Sequence, residues 1–138
     1  MAFANPPDAV IREILASPRT VAVVGCSPNP DRDSNRIARL LIARGHRVIP
    51  VNPRAEEILG TRSFPSLRAV SEGVEMVDVF RRSEEVAAIA SDAIDIGARI
   101  LWLQLGVIDA DAAARARDAG LTVVMDRCPA IEYRRLFA

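Results

Sequence analysis

The segment VAVVGCSPNPDRDSNRIARLL, residues 21–41, joins a β-branched run to Gly25, a polar loop of about nine residues and a helical run that opens near Asp33 or Ser34. A helix opening just beyond a strand presents unpaired N–H groups and the positive end of its dipole, and together these attract an anion. Gly25 lets the backbone pass close beneath such a ligand, while Ser27 and Ser34 carry hydroxyls able to donate to it. The dinucleotide fingerprint needs two further glycines at set spacing, and their absence makes this loop longer and differently shaped. The plain alternative is an ordinary strand-to-helix turn capped by Ser34.

Three further segments carry groups suited to the same ligand. In VIPVNPR, Asn52, Pro53 and Arg54 follow a strand where an NAD-binding domain tends to place an acidic residue for the ribose hydroxyls. An arginine there suits a phosphorylated ribose, which coenzyme A and NADP both contain, although a solvated loop arginine is equally compatible. In VDVFRRSEEV, Ser83 and two glutamates suit a helix start, whereas Arg81 and Arg82 oppose its dipole and make sense beside an anion. Phe80 offers an apolar wall for an adenine ring or a pantetheine arm, or simply packs into the core. In LWLQLGV, Gln104 can hydrogen-bond a ligand and Gly106 allows close approach, while Trp102 reads as core.

The cysteines are candidates for chemistry of their own. Cys128 precedes Pro129 at a helix start and follows Arg127, both of which favour a thiolate. No histidine partner is evident for it or for Cys26, because His46 follows Gly45 at the far end of a helix, away from the ligand edge. Structural thiols are the expectation for both.

These groups must be held at one edge of a sheet. Apolar runs at residues 20–25, 47–51, 76–80, 100–103 and 121–125 alternate with segments of helical period, the pattern of a parallel sheet with crossover helices. TRSF around Arg62 adds a sixth strand at the edge. Residues 34–44 place Ile37, Leu40 and Leu41 on one face, and Val86, Ile89, Ala90 and Ala93 do the same in a later crossover. Gly45, Gly73, Gly97 and Gly120 each fall between a helical run and a strand, where a left-handed residue closes a helix. Ahead of the first strand, NPPDAVIREILAS predicts an amphipathic helix capped by Asn5 with Pro6 in its first turn. The expected fold is a three-layer, Rossmann-like doubly wound α/β sheet of order 3-2-1-4-5-6, built as one domain over residues 1–138.

Composition narrows the function classes. Eighteen basic residues balance eighteen acidic ones, and without a polybasic tail a nucleic-acid partner is disfavoured. The longest uncharged stretch, residues 20–30, is too short to span a bilayer, and the first residues lack a signal core, so the expected location is the cytoplasm. Two cysteines and one histidine make neither a disulfide framework nor a metal centre.

Taken in order, VAVVGCSPNPDRDS, VIPVNPR, DVFRRSEEV, WLQLGV and VVMDRCPAIEY resemble the family of small stand-alone CoA-binding proteins, whose fold is similar to the CoA-binding domain of the succinyl-CoA synthetase α subunit. The resemblance runs over residues 18–138. It implies that Gly25, Cys26, Ser27 and Ser34 hold CoA phosphates and that Asn52, Pro53 and Arg54 flank the adenosine end. Phe80, Arg81 and Arg82 would line the cleft, with Gln104 and Gly106 facing the pantetheine arm. The synthetase also uses a phosphorylated histidine on a second domain, for which His46 is no substitute, so its activity is not implied. The resulting expectation is reversible binding of CoA or acyl-CoA without intrinsic catalysis, with a CoA-using enzyme as a possible partner and self-association open. An NADP-linked reductase, and a redox module in which Cys26 or Cys128 forms a mixed disulfide with CoA, are the alternatives.

Overall fold

Each of the five apolar runs forms a strand, and all five lie parallel in one sheet. The computed structural model describes residues 3–137; Met1, Ala2 and Ala138, which the expected domain range takes in, lie outside the described residues. Helix α1 (Asp8–Ala16) leads into β1 (Thr20–Val24), α2 (Asp33–Ala43) and β2 (Arg47–Val51). A short antiparallel hairpin follows, β3 (Glu57–Ile58) and β4 (Thr61–Arg62), and then a 3-10 turn at Leu67–Ala69. The rest is β5 (Met76–Val79), α3 (Val86–Asp95), β6 (Ile100–Leu103), α4 (Ala110–Asp118), β7 (Thr122–Val124) and α5 (Pro129–Leu136).

The sheet order is β2-β1-β5-β6-β7, which corrects the expected 3-2-1-4-5-6. That order needs a second crossover beyond β2, and the chain after β2 has no helix to make one. It turns instead through the β3–β4 hairpin, where Leu59 and Gly60 both take positive φ, as a two-residue hairpin loop of matching twist requires. TRSF is therefore not a sixth strand of the sheet: Thr61–Arg62 pairs with β3, and Phe64 touches β2 through a single parallel bridge to Val51. The chain then crosses over to pair β5 with the free side of β1.

Strand alternation divides the core into two layers. Ala22, Val24, Val77, Val79, Leu101 and Leu103 face α3 and α4, meeting Val86, Ala90, Ala93 and the small residues Ala112, Ala113 and Ala116. Val21, Val23, Met76, Ile100 and Trp102 face the other way, against Ile11 and Leu15 of α1, Ile37 and Leu41 of α2, and Tyr133 of α5. Helices thus cover both faces, which is why each strand is buried along almost its whole length.

Three local expectations change. Asn5 does not cap α1, whose cap position is Pro7, and Pro6 precedes the helix and is not in its first turn; the Asn5 side-chain amide instead pairs with both backbone groups of Met125, at 2.9 and 2.7 Å. Gly73 does not close a helix with positive φ, unlike Gly45, Gly97 and Gly120. No described helix is long and apolar enough to cross a membrane.

Candidate functional site

The sheet order reverses between β1 and β5, since β2 lies on one side of β1 and β5 on the other. Loops leaving the carboxyl ends of these strands part at that point and leave a crevice, the usual ligand position in open α/β sheets. Three strands are knitted together there: Gly25 donates to the Val51 carbonyl at 2.9 Å, and Phe80 donates to Val24 at 2.8 Å. Gly25 has φ +86, and a β-carbon on it would stand 2.3 Å from the Phe80 carbonyl oxygen. In this structure the close approach that calls for glycine is therefore made by the backbone after β5.

The loop after β1 is held from within. Ser34 lies in the first turn of α2, whose cap position is Arg32, so Ser34 does not cap the helix as the plain alternative had it. Its hydroxyl is buried and accepts from the Ser27 N–H at 2.9 Å, while Asn35 donates to the Ser27 carbonyl at 2.9 Å. Asn52 bridges the ends of β1 and β2 by donating to the Cys26 carbonyl at 2.8 Å and accepting from the Arg54 N–H at 2.8 Å. The Cys26 side chain turns inward and is fully buried; burial and the nearby Asp78 push its thiol up to about 11. Its side chain is thus part of the core, and only its backbone reaches the loop.

Three adjoining hollows follow this edge. The first, about 680 Å³, is lined by Ile37, Phe80, Leu105, Val107 and Cys128 on its apolar walls, with Arg36, Arg81, Arg82 and Gln104 supplying polar groups. The second, about 760 Å³, runs along Asn52, Pro53, Arg54 and Arg62 beyond β2. A smaller one of about 200 Å³ shares Arg81 and Glu85 with the first and Pro53 and Pro65 with the second. The loops at the ends of β1, β2, β5 and β6 therefore meet along one continuous edge.

Arg81 and Arg82 are not left facing a helix dipole without compensation. Arg81 pairs with Glu85 at 2.8 Å, and Arg82 approaches the same carboxylate at 3.6 Å. These cations hold the Glu85 carboxyl below its ordinary range, the hydrogen bond from Arg81 being the main cause. Ser83 does not cap a helix: a 3-10 turn at Ser83–Glu85 precedes α3, and the Ser83 hydroxyl accepts from the Ile108 N–H at 2.9 Å. Arg54 is exposed and has no ion-pair partner among the described residues, while the Arg62 guanidinium lies 4.7 Å from the centre of the Phe64 ring.

Hydrogen-bonded to Gln104 of the first hollow is a buried acid that the motifs do not single out. Asp78 sits in β5 between Val23 and Trp102, fully buried, with Oδ1 accepting from Gln104 Nε2 at 2.7 Å and Oδ2 without any partner. Burial raises its carboxyl to about 7, against the lowering effect of the Gln104 bond. The signal was present in MVDVF, where one acidic residue interrupts an otherwise apolar strand. Arg36, Ile37 and Arg62 were likewise missed, because only the folded chain brings their side chains to this edge.

At the ends of β6 and β7, Gly106 takes φ +82 with open space beside it, and its N–H is held by Asp126 Oδ1 at 2.7 Å. Asp126 itself has φ +60, an uncommon conformation for a residue with a side chain. Cys128 is half-buried at the cap position of α5 with Pro129 in the first turn, and its side chain lines the first hollow. His46 lies at the opposite edge of the sheet, buried between the Arg19 N–H at 3.1 Å and the Tyr133 hydroxyl at 2.7 Å. Trp102 is core, its indole N–H donating to the Arg127 carbonyl at 2.9 Å.

Relatives match this chain over all or part of its length. The chain is 37% identical over 124 residues to the uncharacterized protein YneT of Bacillus subtilis strain 168, spanning 90% of this chain and 92% of that one. The solved structure of a hypothetical protein from Pyrococcus horikoshii OT3 superposes with a TM-score of 0.90 at 36% identity, covering 100% of both chains. A stretch of 64 residues, 46% of this chain, is 38% identical to the ADP-forming acetate–CoA ligase I of Archaeoglobus fulgidus and makes up 9% of that protein. Residues 19–134 match the family described as CoA binding domain, and the chain belongs to that family.

Proposed function

We propose that this chain acts as one unit that reversibly binds coenzyme A or an acyl-CoA along the carboxyl edge of its sheet and catalyses no reaction itself. The observation that carries this reading is the continuity of an apolar hollow walled by Phe80, Ile37 and Val107 with an arginine-bearing edge at Arg81, Arg54 and Arg62. A ligand with a long amide arm and a phosphorylated nucleotide matches those two environments, and the family match points to the same ligand class. Arg54, Arg81 and Arg82 supply donors to phosphate; Gly25, Ser27 and Ser34 shape the loop beneath it; Asn52 and Pro53 flank the nucleotide end; Phe80, Gln104 and Gly106 border the arm. The Cys26 contribution is its backbone.

Two placements support binding without chemistry. Cys26 is buried with a raised pKa, and the histidine lies at the other edge of the sheet. Bound CoA would supply only its thiol or thioester, for use by an enzyme partner of the kind that consumes acyl-CoA. Calorimetry on ligand-free protein tests the reading: CoA should bind, NADPH should bind far more weakly, and Arg54→Ala or Arg81→Ala should weaken CoA. Absence of heat with CoA, or preference for NADPH, overturns it.

One specific observation favours a second reading. Cys128 lines the same hollow at the cap position of α5. Its thiolate would attack the disulfide of oxidised CoA, forming a mixed disulfide and releasing one CoA thiolate, so the two electrons stay balanced. Intact-mass analysis with CoA disulfide should then show one CoA added to wild type and none to Cys128→Ser; an unmodified wild type removes this reading.

A further inference from the structure

Asp78 is an expensive residue in its position. Its neighbours in register are Val23 and Trp102, the carboxyl is fully buried, and an apolar side chain would fill the layer without desolvating an acid. Within the core it makes no compensating network. Oδ2 has no partner, and the one hydrogen bond of Oδ1 goes to Gln104, which is 5% exposed and lines the first hollow.

A carboxylate accepts and cannot donate, so the Gln104 NH2 must face Asp78. That orientation belongs to the ionised carboxylate: a proton on Oδ2 preserves it, whereas one on Oδ1 would donate to the Gln104 oxygen and reverse it. The Gln104 carbonyl oxygen has no donor among the described residues, yet it is not among the sealed, unpartnered oxygens, which are those of Asn35 and Asp78. It is therefore open to the hollow. Without Asp78, the amide could present either its oxygen or its NH2.

We propose that Asp78 is a positioning residue that locks Gln104 with its carbonyl oxygen toward the hollow, so that the site selects a ligand group bearing an N–H or O–H donor. Given the coenzyme A reading, on which the identity of the ligand rests, that group is an amide or hydroxyl of the pantetheine arm. Asp78 thus sets the hydrogen-bond polarity of the arm's wall without touching the ligand.

The test compares CoA with adenosine 3′,5′-bisphosphate, its nucleotide end, by calorimetry on wild type, Asp78→Asn and Asp78→Leu. Asparagine offers Gln104 either an oxygen or an NH2 and keeps the fold if leucine does not. The side-chain amide protons of Gln104 are followed by NMR in the same samples. CoA affinity should fall about tenfold in Asp78→Leu, the value of one hydrogen bond, and by less in Asp78→Asn, while bisphosphate affinity stays within about twofold. The Gln104 amide protons, slow to exchange in wild type, should exchange freely in Asp78→Leu. Unchanged CoA affinity in a variant whose Gln104 amide has been released overturns the proposal, as does an equal loss for both ligands. If wild type binds neither ligand, the coenzyme A reading falls, while the amide spectrum still decides the lock between Asp78 and Gln104.

Discussion

Gly25 and Phe80 meet at the switch point so closely that the glycine α-hydrogen occupies the place where a β-carbon would stand 2.3 Å from the Phe80 carbonyl oxygen. The same β-carbon would lie 2.8 Å from Arg81 Cδ, and the residue has φ +86. Gly25→Ala should therefore cost about 2–5 kcal/mol in urea unfolding, combining left-handed strain with overpacking against backbone. It should also displace Arg81. A variant as stable as wild type would mean that the two strand ends separate without penalty.

Glu85 competes with any anion for two arginines. All three side chains are substantially exposed, so Glu85→Gln should change stability by less than about 1 kcal/mol. Freed Arg81 and Arg82 should bind adenosine 3′,5′-bisphosphate a few-fold more tightly at low salt, with the gain shrinking as salt rises. Titrations at two ionic strengths measure both effects, and weaker binding would place these arginines outside the anion site.

Asp78 also predicts a pH dependence of stability. Its folded carboxyl is raised from 3.8 to about 7, so the neutral form suits the fold. Its favourable contribution is present in full below pH 3.8 and is lost as pH rises through about 7. Asp78→Asn should match wild type in acid and exceed it above neutrality by something on the order of a few kcal/mol. Denaturant melts across that range check it. Greater stability combined with weaker CoA binding would separate a positioning role from a structural one.

His46 works in the opposite sense, at the opposite edge. Its Nδ1 accepts from Arg19, so Nε2 donates to Tyr133, whose hydroxyl donates to the Leu15 carbonyl at 3.0 Å. Burial first, and then the Arg19 charge, lower its pKa from 6.5. Stability drawn from neutral His46 is complete above pH 6.5 and disappears as pH falls through the lowered folded value. Tyr133→Phe should cost about 1–3 kcal/mol by leaving His46 Nε2 and the Leu15 carbonyl without partners, and should leave CoA binding unchanged. Thermal melts and one titration suffice.

Much of the fold was legible along the chain because burial on both faces forces local signatures. TVAVV, RVIPV, MVDV, ILWL and TVV are apolar in sequence since both sides of each strand meet helices, and the helical faces of Ile37 and Leu41 or Val86 and Ala90 repeat with the helix period. The loops at the strand ends, with Gly25, Asn52, Arg54, Phe80, Arg81, Gln104 and Gly106, could be recognised for the same reason. They follow directly from where each strand must stop.

Strand order and side-chain pairing were not legible, because both depend on contacts between residues far apart in sequence. Whether β5 joins β1 or passes outside β2 is decided by the short hairpin at Leu59 and Gly60 and the bridge of Phe64 to Val51. Gly25 looked like room for a ligand until the Phe80 backbone filled that space. Cys26 and Asp78 are removed from water only when the layer facing α2 and α5 closes over them. The order of residue types thus carries the elements and the edge at which their loops gather, since these follow from local periodicity and burial. Which groups meet there, and with what charge and polarity, arises only when distant segments pack and remove them from water.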